Sequence, residues 1–267
     1  MKKTAVYLAV MLLIFSVFAL NFTSVVAESP DKTEAAEVDT SILKKLSSVK
    51  AKDIEEAIRL AEEELEKKIS QELYQKKIEA TLNDIKSGKT SFRKVFADTC
   101  FAGDSLINGL EVYNLLNNEK LMTQISARLS HLEENMNKII SVNPKVLILH
   151  YGLNMLWADE AGTQWFIDDY SELVVKLKKA LPHTRIIISG IFPVDTEIAT
   201  DEIFTHIPRH NKALKKMCED LEVEFLDSTE VVKNSAEYYS TDGIHLIGSF
   251  YSDKWLPFIV ENKGITG

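Results

Sequence analysis

Cysteine is almost missing from this chain. Only Cys100 and Cys218 occur, so at most a single disulfide could form. Cys100 falls in an apolar run that reads as a core strand, and Cys218 on the apolar side of an expected helix. Both therefore read as buried free thiols. No histidine or second cysteine stands at ligand spacing from either, which excludes a cysteine nucleophile and a cysteine-based metal site. A basic excess is lacking too. The formal net charge is −9 and the pI about 5.3, whereas nucleic-acid binding needs a concentrated basic face. Nucleic acid is excluded as a partner, although the charge identifies no substrate. Glycine and proline are absent from Asp31 to Ser87. Nothing repeats internally, and no segment is low-complexity. A long apolar run occurs only at the N-terminus.

That run, Ala5 to Leu20, follows Lys2 and Lys3 and leads to Val25-Val26-Ala27 and then polar Glu28-Ser29-Pro30. A basic start, an apolar centre and a small residue at the end read as an export signal with cleavage after Ala27. The competing reading is an uncleaved anchor, since residues 5–27 are long enough to span a bilayer. In both, the lysines stay inside and the rest is exported, secreted or held at the extracellular face. No Cys follows the run, which argues against a lipoprotein.

The stretch 31–87 is rich in Glu, Lys, Ala, Leu and Ile. Asp53 followed by Glu56 reads as a helix start with a capping box. Ile54, Ile58, Ala61, Leu65, Ile69 and Leu73 then form one apolar stripe. Glu63–Lys67, Glu64–Lys68 and Glu72–Lys76 are favourable i,i+4 pairs on the solvated face. The stripe drifts, so a long coiled coil is not expected. A spacer helix and a self-association helix over 53–85 both fit. Ser87-Gly88-Lys89-Thr90 ends this region; it lacks the upstream Gly and preceding strand of a phosphate-binding loop.

Beyond residue 90 short apolar runs alternate with helical patterns. The expected strands are Thr99–Ala102, Leu121–Ile125, Lys145–His150, Arg185–Ser189 and Val223–Asp227. Helical patterns fill 106–117, 128–141, 164–180, 206–221 and 249–262. Continuous apolar strands separated by helices predict a parallel sheet covered on both faces, a three-layer α/β/α domain. Its sites form at the carboxyl ends of strands.

Gly103-Asp104-Ser105 lies at one such end. Alone, the tripeptide reads more readily as a helix cap than as a nucleophile. A Ser there can also be a nucleophile, because the strand fixes it and the helix start supplies free N–H groups. The far end of the chain offers what such a Ser needs. Asp242 and His245 stand three residues apart in Asp242-Gly243-Ile244-His245, so one loop can place a carboxylate against the imidazole Nδ1 while Nε2 faces outward. Asn154, just past a strand, can aim its amide at the same crevice, and the Ser105 N–H is a second donor.

These residues resemble the SGNH or GDSL hydrolases over about 95–260. Gly103-Asp104-Ser105-Leu106 matches the nucleophile block, Gly152-Leu153-Asn154 the Gly-x-Asn block, and Asp242-Gly243-Ile244-His245 the final Asp-x-x-His block. Pro208–Leu214 leading to Val223–Asp227 is similar to the family's penultimate helix–strand unit. The resemblance implies a flavodoxin-like sheet and a metal-free acyl-enzyme mechanism with no cofactor. It also implies esterase or acetyl-transfer chemistry on lipids, glycans or small esters. Ser105 is then the nucleophile, His245 the general acid/base, Asp242 its orienting partner, and the Ser105 N–H with Asn154 the oxyanion donors. Two positions depart from the pattern. Met155 follows Asn154 where the family usually has Asp, and Ser126-Ala127-Arg128-Leu129-Ser130 lacks the Gly of the second block.

The expected organisation is a signal peptide or anchor over 1–27, a helical spacer or stalk over 28–90, and the SGNH-type domain over 91–267. The expected activity is hydrolysis of O-acyl, acetyl above all, esters on small molecules or glycans. An O-acetyltransferase with the same triad and a catalytically weak binding module are the rivals. Among other candidates, His150 reads as packed rather than lining the crevice. His131, His183, His206 and His210 read as solvated or structural, the last two lacking the Glu of a zinc hydrolase motif. Trp157, Trp165, Phe166, Tyr238 and Tyr239 fit a pocket wall or the core equally, while Tyr251 and Trp255 are expected to pack the last helix on the sheet.

Overall fold

A computed structural model describes residues 51–267. The expected signal segment and its membrane tether, residues 5–27, lie outside the described residues. Among the described residues no helix is long and apolar enough to cross a membrane.

The first helix, α1, covers Ala51–Lys86. Asp53 is already helical, so it is no N-cap. The chain divides into two units, residues 1–73 and 74–267. In the first, Leu60, Leu65, Ile69 and Leu73 are exposed. Ion pairs Arg59–Glu63 and Glu64–Lys68, both at 2.8 Å, lie in solvent and contribute little.

In the second unit α1 ends where Gly88 takes φ +74°, the left-handed conformation that closes a helix without a Cβ penalty. A short helix α2, Phe92–Val95, precedes β1, Thr99–Gly103. Then follow α3 (Ser105–Val112), β2 (Leu121–Thr123), α4 (Leu129–Val142), β3 (Val146–His150), α5 (Glu160–Ala180), β4 (Arg185–Ser189), α6 (Ile207–Asp220), β5 (Glu224–Leu226) and α7 (Thr229–Lys233). A turn at Gly248–Phe250 and a π-helical segment Tyr251–Trp255 lead into α8, Leu256–Lys263.

The five strands pair in parallel in the order β2-β1-β3-β4-β5. β1 and β3 are buried along their whole length, which is why they read as unbroken apolar runs. Residues from α4, α5 and α6 fill the core on one face. Residues from α3 and the C-terminal helices fill the other. Trp255 centres the second core: it is fully buried, its ring meets Phe101, Phe192 and Tyr251, and its indole N–H donates to Ser228 Oγ at 3.0 Å. The order reverses between β1 and β3, the switch point at which such sheets open a crevice beyond the strand ends.

Candidate active site

β1 delivers Ser105 to that crevice. Gly103 is required by the close approach of β3. A Cβ there would stand 2.6 Å from the His150 carbonyl oxygen and 2.9 Å from Ile107. Asp104 caps α3, its Oδ1 accepting from the Leu106 N–H at 3.1 Å. Its Oδ2 has no partner among the described residues. Burial pushes this carboxyl up to about 7, because charge is costly without water. Between about pH 4 and 7 the folded chain therefore keeps a proton that the unfolded chain has lost, and stability falls as pH rises. Asp104→Asn keeps the cap, so its Tm is expected to fall less than the parent's between pH 4 and 7, as thermal melts would show.

The loop after β5 and α7 delivers the partners. Ser240 N–H donates to the His245 carbonyl at 2.7 Å, and Tyr239 bridges Leu246 antiparallel, closing a narrow loop. Gly243 sits at φ +69°, and a Cβ there would meet Asp195 O and Ala199 N at 3.0 Å. Its carbonyl accepts from the Asp195 N–H at 2.7 Å, so the loop is held from behind. Asp242 Oδ1 accepts from the N–H groups of Ile244 and His245, both at 2.9 Å. Its Oδ2 lies 2.6 Å from His245 Nδ1, and His245 Nε2 lies 2.9 Å from Ser105 Oγ. Partial burial works against the charge on Asp242. The His245 ring and the two N–H groups more than offset it and hold the carboxyl below its ordinary range.

Asn154 stands just past β3 in the 3-10 turn Leu153–Met155. Its Nδ2 donates to the Ala127 carbonyl at 3.2 Å. One amide hydrogen is thereby used and the second is left for another acceptor. Both departures from the family pattern meet here. Met155 is buried, and its sulfur accepts from the Leu129 N–H at 3.4 Å. Ser126 takes φ +56°, so the loop reaches the left-handed conformation without Gly, at a cost of about 1–2 kcal/mol. The N–H groups of Ser105 and Ser126 have no partner among the described residues.

His150, His131, Cys100 and Cys218 are structural. His150 is fully buried, with Nδ1 3.0 Å from Ser189 Oγ and its ring edge-on to Phe192; burial drives its pKa down to about 3. His131 is buried against the Tyr151 hydroxyl. Cys100 and Cys218 are free and buried, and burial pushes both thiols up to about 12. Among the described residues no group of His, Cys, Asp and Glu could hold a metal ion. A cavity of about 860 Å³ lies behind the Asp242–His245 loop, lined by Asp195, Phe204, Lys212, Phe225 and Tyr239 among others. It includes none of Ser105, Asn154, Asp242 and His245.

Sequence reasoning missed a clamp. Fully buried His210 accepts from the Trp157 N–H through Nε2 at 3.2 Å, while its Nδ1 lies 3.0 Å from the His206 carbonyl. Arg209 donates to the Trp157 carbonyl and to Thr163 Oγ1. Asn211 next to them holds both backbone groups of Ile191, at 2.7 and 2.8 Å. The only signal was the block Pro208–Leu214, whose partners are far away in sequence.

A search of curated proteins finds no match. Among solved structures, an alpha/beta hydrolase enzyme from the metagenome of Lake Arreo, Spain, superposes with a TM-score of 0.50 at 11% identity, over 63% of this chain and 95% of that one. The lipase/acylhydrolase from Enterococcus faecalis gives 0.49 at 13% identity, over 62% and 95%. A variant of Axe2, an acetyl xylan esterase from Geobacillus stearothermophilus, gives 0.47 at 14%, over 62% and 94%. At such identities the likeness concerns the fold alone. The GDSL-like Lipase/Acylhydrolase family model matches residues 101–251, from the middle of β1 to the π-helical segment, more than half of the chain. The chain belongs to the GDSL-like lipase/acylhydrolase family.

Proposed function

We propose that this acylhydrolase cleaves O-acyl esters, acetyl esters in particular, through Ser105, His245 and Asp242. The observation that carries the reading is the chain of two contacts, 2.9 Å from Ser105 Oγ to His245 Nε2 and 2.6 Å from His245 Nδ1 to Asp242 Oδ2. A serine hydroxyl is a weak nucleophile at neutral pH and needs a base within hydrogen-bond reach. His245 Nε2 takes the hydroxyl proton as Oγ attacks the carbonyl carbon. Asp242, ionised, keeps the other ring proton on Nδ1 and stabilises the imidazolium. The tetrahedral oxyanion is met by the Ser105 N–H, at the start of α3, and by the free hydrogen of Asn154 Nδ2. His245 then gives its proton to the leaving alcohol. Water, deprotonated by the same ring, releases the acid and restores Ser105.

The proposal extends to export, carried by the pattern of residues 1–27, and hence to glycan O-acetyl esters outside the cell as the substrate class. Association of two chains through 53–85 belongs to it as well, supported by the exposed Leu65, Ile69 and Leu73. The full chain assayed on p-nitrophenyl acetate tests the chemistry: acetate release is expected, and an inactive folded protein overturns the reading. Acetyl appearing on an added glycan instead of in water would make it a transferase. Asn154→Ala is expected to lower kcat about 10²–10³-fold with little change in KM, since the amide acts on charge that develops only in the transition state. Steady-state kinetics on the same ester check this.

A further inference from the structure

Two of the three tryptophans stand in solvent. Trp157 is 43% exposed and Trp165 51%, whereas Trp255 is fully buried. The exposed pair meets edge to face, with centroids 5.9 Å apart and planes at 77°. In this arrangement the edge of one ring covers a face of the other, and about half of each side chain stays open to solvent.

Their place in the fold is the carboxyl end of the sheet. Trp157 follows the 3-10 turn that carries Asn154, and Trp165 lies in the second turn of α5, which starts at the same end. α5 covers the face of the sheet opposite α3. The pair therefore stands at the same end of the sheet as Ser105, on the α5 side, and Trp157 comes soon after Asn154 in the chain.

The pair is also pre-set. The Trp157 backbone is held on one side by His210 and on the other by Arg209. Its ring rests against Gly162, where a Cβ would come within 2.5 Å of it. Asp159 fixes the helix start beneath through the Gly162 N–H at 2.7 Å. A fixed aromatic ring binds with little loss of side-chain freedom. Exposed groups able to pair with hydroxyls flank it: Glu160, and Gln164, which donates to Asp168 at 2.8 Å.

We infer that Trp157 and Trp165 form a stacking platform for a sugar ring of the substrate, at the same end of the sheet as the ester under attack. The C–H face of a pyranose is apolar and weakly positive, which suits the negative face of an indole. Its equatorial hydroxyls point outward, toward Gln164, Asp168 and Glu160. A protein partner would need a broad apolar patch, and two rings at right angles among charged side chains do not provide one. The inference rests on the ester-hydrolase reading and names the substrate class within it.

The test uses the full chain and two esters, an O-acetylated xylo-oligosaccharide and ethyl acetate, which has no ring to stack. Trp165→Ala is expected to raise KM for the oligosaccharide about tenfold, a loss in the range of one stacking contact, with kcat unchanged and kcat/KM for ethyl acetate unchanged. In the Ser105→Ala background, where nothing turns over, the oligosaccharide is expected to shift tryptophan fluorescence saturably, and Trp165→Ala to abolish the shift. Unchanged KM, or an equal loss on both esters, overturns the platform. Saturable binding by a chain inactive on both esters would keep the platform and sink the hydrolase reading. Activity on ethyl acetate with no fluorescence response would do the reverse.

Discussion

Ser105→Ala is expected to lower kcat on p-nitrophenyl acetate by about 10⁴–10⁶-fold while leaving the fold intact. Ser105 is the first residue of α3, and the cap is made by Asp104, not by Ser105. The substitution removes the hydroxyl and its contact with His245 Nε2 and nothing else that the helix depends on. Ala is a better helix former than Ser, and His245 is only partly buried, so water can take the place of the lost partner. The thermal midpoint is therefore expected to stay close to the parent's. The residual rate is not zero, because the Ser105 N–H and Asn154 remain. An Ala variant as active as the parent overturns the assignment of Ser105. A variant that loses both rate and thermal midpoint would point instead to a structural role for the hydroxyl. Full-chain kinetics beside a melt separate these results.

Much of this frame is legible in the residues, and the illegible parts share a cause. β1, β3 and β4 are flanked by strands on both sides, so nearly every side chain is apolar and the run announces itself. β2 lies at an edge. The expected strand runs to Ile125, but pairing ends at Thr123 and Ile125 is 71% exposed, because beyond Gly103 the partner strand has turned into α3. The helix expected over 106–117 stops at Val112, since Asn114 turns left-handed at φ +53°. α5 starts four residues before the expected 164, at a cap by Asp159 that was in plain view. Nothing local marks the π-helical turn Tyr251–Trp255, which follows from packing Tyr251 and Trp255 against the sheet.

The candidate site divides the same way. Ser105, Asn154, Asp242 and His245 can be picked out because each stands at a strand end or in a short loop with its chemistry exposed. How the Asn154 loop is supported could not be read. Its contacts to Ala127 and Leu129 join segments more than 25 residues apart, and a thioether accepting an N–H has no sequence signature. Met155 thus occupies the place beside Asn154 as a packed sulfur rather than a carboxylate. The Gly-free stretch reaches its turn by bending Ser126 instead.

Asp242→Asn is the second large effect, about 10⁴-fold in kcat, and it arises without removing any atom that touches substrate. The carboxylate accepts three N–H groups: two from the backbone through Oδ1 and one from the His245 ring through Oδ2. An Asn can keep its oxygen on the backbone pair, which preserves the loop, but its amide then faces Nδ1. Two donors cannot share that contact, so the imidazole moves its proton to Nε2. Nε2 then donates to Ser105 Oγ rather than accepting from it, and the base is lost. The parent's carboxyl is held below its ordinary range. It therefore stays charged through and below the ordinary carboxylate range, and the stabilisation it lends the loop is lost only as pH falls through its lowered value. Across pH 5–9 the parent's dependence on Asp242 is thus expected to be flat. The Asn variant should recover part of its rate at high pH, where a hydroxide ion can do the work of the missing base. Rate–pH profiles of the two proteins decide this: an Asn variant within tenfold of the parent at pH 7 would remove Asp242 from the mechanism and leave it a loop residue.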